Sequence, residues 1–265
     1  MEKRPKTFNE HVDYVSDAAK LMLCFAWTWS KTHPEEKVVD ILRKRTLISR
    51  YAGFNDKEFL KATNKTDRDW QRIAESVSTV CNACANNEDD FESRAFELVN
   101  PALEEYAERG FRQDTAPIQF SAGSLRYEPK PAVEGHPTWC AFHIANAMYP
   151  QSIFDDPRHL VDCFETLMDQ SEKECGYDTL YTFTWLNSRQ QWLDYFPAEW
   201  TENLSEPDDN VWDNLGYWGQ IITARKTFNR KTGEHIRKTG ELRYKPRRSH
   251  CSFSAMRQHL ETMVK

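Results

Sequence analysis

The chain is predicted to fold as an α+β protein, an N-terminal all-helical layer on a small, mostly antiparallel sheet, with further helices toward the C-terminus. Three observations predict it. Residues 1–110 place apolar side chains at helical spacing with little interruption. After Gly110 the texture changes to short segments rich in aromatic and small residues and bounded by Pro and Gly, which reads as strands. Between two of those segments, and again at the end, helical periodicity returns. At 265 residues, 39% of them apolar, the chain can bury a substantial core. The predicted organisation is a helical region, 1–110, and an α+β region, 111–265, forming one compact unit.

The elements follow in order. From 10 to 30, Val12, Val15, Ala19, Met22, Phe25 and Trp29 form one buried helical stripe. Pro34 with Glu35 and Glu36 suits the first turn of a second helix, carried by Val38, Ile41, Leu42, Ile48 and Tyr51 and stopped at Gly53. Asn55 is placed to cap a short helix, and Asp67 opens another, with Trp70, Ala74, Val77, Cys81 and Cys84 on one side. Two short helices are predicted over 90–99 and 101–109. Strands are predicted over 117–127, 138–148 and 179–186. Asp156 with Pro157 is an N-cap and first-turn pair for a helix running to Cys175, and Gly176 ends it. A short helix near 189–195, a turn at Phe196-Pro197 and a polar loop at 205–210 come next. Asn210 is read as the cap of a longer helix through about residue 227, and a last helix runs over about 252–263.

The net charge of −6 hides an asymmetry. Residues 225–248 hold ten Lys/Arg against Glu234 and Glu241, about +8, while the rest of the chain carries about −14. Five of nine tryptophans, Trp185, Trp192, Trp200, Trp212 and Trp218, come just before that run. The echo of Lys231-Thr-Gly-Glu234 in Lys238-Thr-Gly-Glu241 suggests two Gly-centred turns around a hairpin-like basic finger. No apolar run is long enough to cross a bilayer, and the N-terminus lacks the apolar core of a secretory signal. Seven cysteines, an odd set without regular spacing, read as reduced thiols and point to the cytoplasm.

Several residues could carry chemistry. His143 lies in a strand segment flanked by Ala141 and Ala145, small neighbours that would let a ligand approach a proton-transfer group; a core histidine bonded to a hydroxyl is the competing reading. Asn146 and Asn187 are candidates to orient that ligand, although Asn187 stands where a strand yields to a helix and capping explains it as well. Gly216 and Gly219, three apart beside Trp212 and Trp218, imply close approach of a packed element or a ligand. Trp185, Trp212, Trp218 and Gln220 would line an apolar site, and Arg225, Arg237, Arg243 and Arg248 would clamp an anion through planar guanidinium groups. A solvated loop pairing with the acidic remainder of the chain accounts for the same arginines.

A metal is not expected at the lone Cys81-Asn-Ala-Cys84, which suits core thiols. A mixed site of Cys140, His143, His250 and Cys251 is a remaining possibility, weakened because a regular strand sends Cys140 and His143 to opposite faces. No P-loop, GxGxxG, GxSxG or HExxH pattern occurs, so no cofactor is expected. The leading functional reading is a cofactor-independent acid/base enzyme for an apolar or aromatic substrate with an anionic group. Isomerase, cyclase, lyase and hydrolase fit equally. The alternative is a protein that binds single-stranded nucleic acid or an acidic partner through Trp stacking and the basic run. Overall acidity argues against nucleic acid, and no membrane partner is expected.

Overall fold

The computed structural model describes residues 4–84 and 86–263. They form two compact units, one from residues 6–116 and 210–243, the other mainly from 117–209 and 244 onward. The α+β class predicted from the sequence is the one observed: helices precede and follow a four-stranded mixed sheet.

The helical unit is organised around α1 (Phe8–Thr32). Thr7 and Glu10 form a capping box that starts it, Thr7 N–H donating to Glu10 Oε2 at 2.8 Å. Leu21, Met22, Leu23, Cys24, Phe25 and Ala26 are all buried, so this stretch is enclosed on every side, as a central helix must be. Helices α2 (Val38–Lys44), α3 (Ile48–Tyr51), α4 (Lys57–Thr63), α5 (Asp67–Ala83) and α6 (Glu88–Thr115) follow, α6 and α2 packing on α1.

The single second helix predicted through Tyr51 is two helices, α2 and α3. The Thr46 hydroxyl donates to Leu42 O at 2.7 Å, and the backbone N–H of Leu47 turns to Met22 Sδ at 3.2 Å, which breaks the ladder. Conversely, the two helices predicted around Pro101 are one. Pro101 removes a single ladder bond, but Phe91, Ala95, Val99, Ala102 and Leu103 are buried in one stripe, and tertiary packing keeps α6 continuous through Gly110.

The sheet unit starts with β1 (Leu125–Tyr127) and β2 (Trp139–Ile144), crosses through α7 (Pro157–Cys175), and returns as β3 (Thr179–Thr184). Asp156 caps α7 with Pro157 in its first turn, and Gly176 ends it, as the sequence predicts. The crossover makes β2 and β3 parallel, while β1–β2 and β3–β4 are antiparallel. After α8 (Gln190–Leu193) and α9 (Ala198–Glu202) the chain contributes α10 (Leu215–Trp218) and α11 (Arg230–Thr239) to the helical unit, then closes with β4 (Arg247–Ser252) and α12 (Phe253–Met263). Strand β4 is absent from the sequence reading, because its arginines and serines resemble a basic loop. Its period is nevertheless two, with Ser249 and Cys251 buried and Arg248 and His250 on the other face.

The helix predicted from Asn210 to residue 227 is not formed. Asn214 caps the single turn α10, a 3₁₀ turn at Gly219–Ile221 follows, and Ile222 then pairs with Phe228 as an isolated bridge. Two glycines and the β-branched Ile221-Ile222-Thr223 are poor helix formers, and Lys226, at φ 56°, lies in the left-handed region. The basic finger is not a hairpin either. Residues 230–239 are helix α11, capped by the Asn229 side chain, and Gly233 sits inside it because a Cβ there would come within 2.5 Å of the Phe228 ring. No helix among the described residues is long and apolar enough to cross a membrane.

Candidate functional site

In the sheet unit, α7, α9 and α12 pack on the strands, and the buried face carries Cys140, Phe142, Leu180 and Cys251. His143 and Cys140 point to opposite faces, as strand geometry requires. His143 is exposed, its Nε2 2.5 Å from Glu128 Oε1, so it stands in a surface hydrogen bond rather than a pocket. Asn146 shapes the turn after β2, its Nδ2 donating to Gln151 O at 2.8 Å and its Oδ1 accepting from Met148 N–H at 3.0 Å.

Asn187 is fully buried. Its Oδ1 accepts the indole N–H groups of Trp192, at 3.0 Å, and Trp200, at 3.3 Å, while its Nδ2 donates to Thr182 O and Arg247 O at 3.3 and 2.8 Å. Both ends of the amide are used inside the unit, and Asn187 is a hub of the core rather than an orienting group for a ligand. Trp185 is half-buried beside Tyr244 and Arg189. Arg248 lies over the Phe183 ring at 4.8 Å. His250 stacks on Trp139 at 4.3 Å while Cys251 is buried on the other face. Among the described residues no group of three or more His, Cys, Asp or Glu is placed to hold a metal ion, which removes the mixed Cys140/His143/His250/Cys251 site.

The other candidates belong to the helical unit. Trp218 is buried edge-on to Phe25, its indole N–H donating to Arg45 O at 2.8 Å. Gln220 is buried, with Nε2 donating to Tyr217 O at 2.8 Å. Trp212, 41% exposed, faces the Arg45 guanidinium, which also lies over Trp29 and pairs with Glu36. Arg225 pairs with Glu10 and Arg237 with Glu92; Arg243 is half-buried. The arginines anticipated as an anion clamp are thus divided between the units, and Arg225 and Arg237 are held in ion pairs.

A different set of residues in the helical unit shares one cavity of about 540 Å³, a size suited to a small molecule. Helix α1 supplies His11, Tyr14 and Val15; α3 and its flank supply Leu47, Arg50 and Tyr51; α6 supplies Tyr106, Gly110 and Asp114; Leu215 and Ile222 complete an apolar side. The spacing of three between His11 and Tyr14 puts both on one helix face. Tyr14 and Tyr51 meet hydroxyl to hydroxyl at 2.5 Å. Burial, reinforced by the partner phenol, pushes the Tyr14 hydroxyl well above the ordinary tyrosine value, and burial raises Tyr51 too, so the pair stays protonated.

Two charge systems frame the cavity. Asp56 accepts from Arg109 Nε at 2.6 Å, from Tyr106 OH at 3.0 Å and from Gln113 Nε2 at 2.8 Å while capping α4. The Arg109 guanidinium, with these further donors, holds the Asp56 carboxyl well below the usual carboxylate range. Arg109 is thereby consumed. Arg50, by contrast, lines the cavity and has no side-chain partner among the described residues. On the other side the Lys6 side chain is fully buried in an ion pair with Asp114 and beside His11, and burial pulls its ammonium below the ordinary lysine value. His11 Nε2 makes no hydrogen bond among the described residues and lies 3.3 Å from where a Cβ on Gly110 would be.

None of these residues is singled out by sequence motifs. His11 and Tyr14 fall on the predicted first helix and Gly110 marks the predicted border between helical and strand texture, whereas Lys6 and Asp114 are 108 positions apart. A glycine inside a helix opposite a histidine was the available signal. No family model, no curated protein and no solved structure matches the chain.

Proposed function

We propose that the protein is a small-molecule enzyme that binds an apolar or aromatic substrate with an anionic group in the helical unit's cavity and acts on it by proton transfer. The observation that carries the reading is the convergence, on one cavity, of the Arg50 guanidinium, which makes no ion pair among the described residues, a hydrogen-bonded phenol pair, and an imidazole whose Nε2 makes no hydrogen bond among the described residues. Arg50 takes the anion, since a guanidinium binds a carboxylate or phosphate through two parallel bonds. Val15, Leu47, Leu215 and Ile222 take the apolar body. The free ring nitrogen of His11 hydrogen-bonds the reacting group, and the phenol of the Tyr14–Tyr51 pair that accepts from the other has its own proton left for the substrate.

The ligand is a small anion rather than a nucleic acid on this reading, because Arg225, Arg237 and Lys245 of the basic run are each paired with a carboxylate. Free thiols at all seven cysteines, six of them buried, support a reducing compartment and hence the cytoplasm.

Native mass spectrometry of the purified protein tests the reading. A co-purifying small acid that is retained by the wild type and lost from Arg50→Ala is the expected result. Retention by Arg50→Ala of every small molecule that the wild type carries would overturn it.

A further inference from the structure

The proton that His11 can offer depends on what surrounds Lys6. The Lys6 Nζ lies within hydrogen-bonding distance of the Asp114 carboxylate, of the Lys226 carbonyl at 2.9 Å and of His11 Nδ1 at 3.0 Å. It also sits over the Tyr14 ring at 5.0 Å, a further stabilisation of positive charge. An ammonium has three protons and no lone pair, so it donates to each of its neighbours and accepts from none. His11 Nδ1 must then offer its lone pair, and the ring proton is left on Nε2. Asp114 Oδ2 lies 3.6 Å from Nδ1, beyond ordinary hydrogen-bond length and farther than Lys6 Nζ at 3.0 Å, so the ammonium is the nearer partner of that nitrogen. Nε2 is the nitrogen beside Gly110, and both residues line the cavity.

We infer that Lys6 is a positioning residue that fixes His11 as the Nε2–H tautomer, so that the cavity presents a neutral imidazole as hydrogen-bond donor to an oxygen of its substrate. The inference rests on the reading of the cavity as the substrate site and narrows it. A neutral imidazole donor stabilises negative charge developing on an oxygen. The substrate class that uses both this donor and Arg50 is an apolar or aromatic acid that also carries a carbonyl group.

The test needs no substitution to begin. In the full-length protein labelled with ¹⁵N-histidine, long-range ¹H–¹⁵N correlation at about pH 8, above the ordinary histidine value, reads the tautomer directly, with His11→Gln identifying the resonances. Protonated Nε2 and unprotonated Nδ1 are expected. Protonated Nδ1, from an imidazolium or from a neutral Lys6 amine accepting its proton, overturns the inference. Lys6→Arg, which keeps a donor, should preserve the tautomer, and a folded Lys6→Met should shift it toward Nδ1–H; a Lys6→Met protein that keeps the wild-type tautomer also overturns it. Phenylpyruvate should move the Nε2 proton resonance while phenylacetate, which lacks the ketone, should not; equal shifts contradict the role toward a carbonyl. Failure of the cavity reading is seen separately, as a phenylacetate titration insensitive to Arg50→Ala with the tautomer intact.

Discussion

His11 Nε2 lies 3.3 Å from the position that a Cβ on Gly110 would occupy, deep inside the 28-residue helix α6. A glycine in a helix interior costs about 1 kcal/mol relative to alanine, and its backbone here is ordinary helix, so the requirement is space beside the imidazole. Tyr106 closes the same position, also at 3.3 Å. Gly110→Ala is therefore expected to leave global stability within about 1 kcal/mol of the wild type, the helix gain offset by the displaced rings. Ligand binding in the cavity should weaken, read by titration calorimetry beside a urea melt.

Asn187 joins the indoles of Trp192 and Trp200 to two backbone carbonyls. Asn187→Ala leaves four buried polar groups without that partner, each at a cost of about 1 kcal/mol or more. A loss of about 3 kcal/mol or more in urea unfolding is expected. A stable Asn187→Ala protein would contradict the reading of Asn187 as a hub of the core.

His143 and Glu128 form a pair with side chains 51% and 40% exposed. Exposed pairs contribute about 0–1 kcal/mol, so His143→Ala should barely move the melting temperature. Binding in the helical cavity should stay unchanged; loss of binding would assign His143 a ligand role.

Asp56 predicts an acid limb of the stability curve. Its carboxyl is depressed in the folded state, chiefly by Arg109, so its stabilisation is complete above the ordinary carboxylate value and is lost as pH falls through the depressed one. Asp56→Asn should be less stable than the wild type at neutral pH, by about 1 kcal/mol. The difference should shrink steadily below about pH 4. A gap that stays constant with pH would show that the charge on Asp56 contributes nothing.

Much of the fold was legible because it depends on local signals. Helix α1 and strands β2 and β3 announce themselves by period, and the Asp156-Pro157 cap with the Gly176 stop by capping chemistry. What was illegible depends on distant partners. Pro101 is tolerated because α6 is packed along its length, Gly233 because Phe228 lies against it, and β4 because Leu180 and Thr182 supply its neighbours. The candidate site was less legible still. Tryptophan density drew attention to Trp192, Trp200 and Trp218, which are core residues, and the basic run to arginines that the protein pairs internally. The cavity is assembled from single residues of α1, α3 and α6, and the Lys6–Asp114 pair closes over more than a hundred residues of chain.

The most direct test of the central claim is a titration of the ¹⁵N-labelled protein with phenylacetate, followed residue by residue in amide spectra of the wild type and of Arg50→Ala. Shifts clustered on His11, Tyr14, Tyr51 and Gly110, with affinity falling about tenfold in Arg50→Ala, are the predicted result. Absent shifts, shifts clustered around His143 and Trp185, or an affinity indifferent to Arg50 would contradict it.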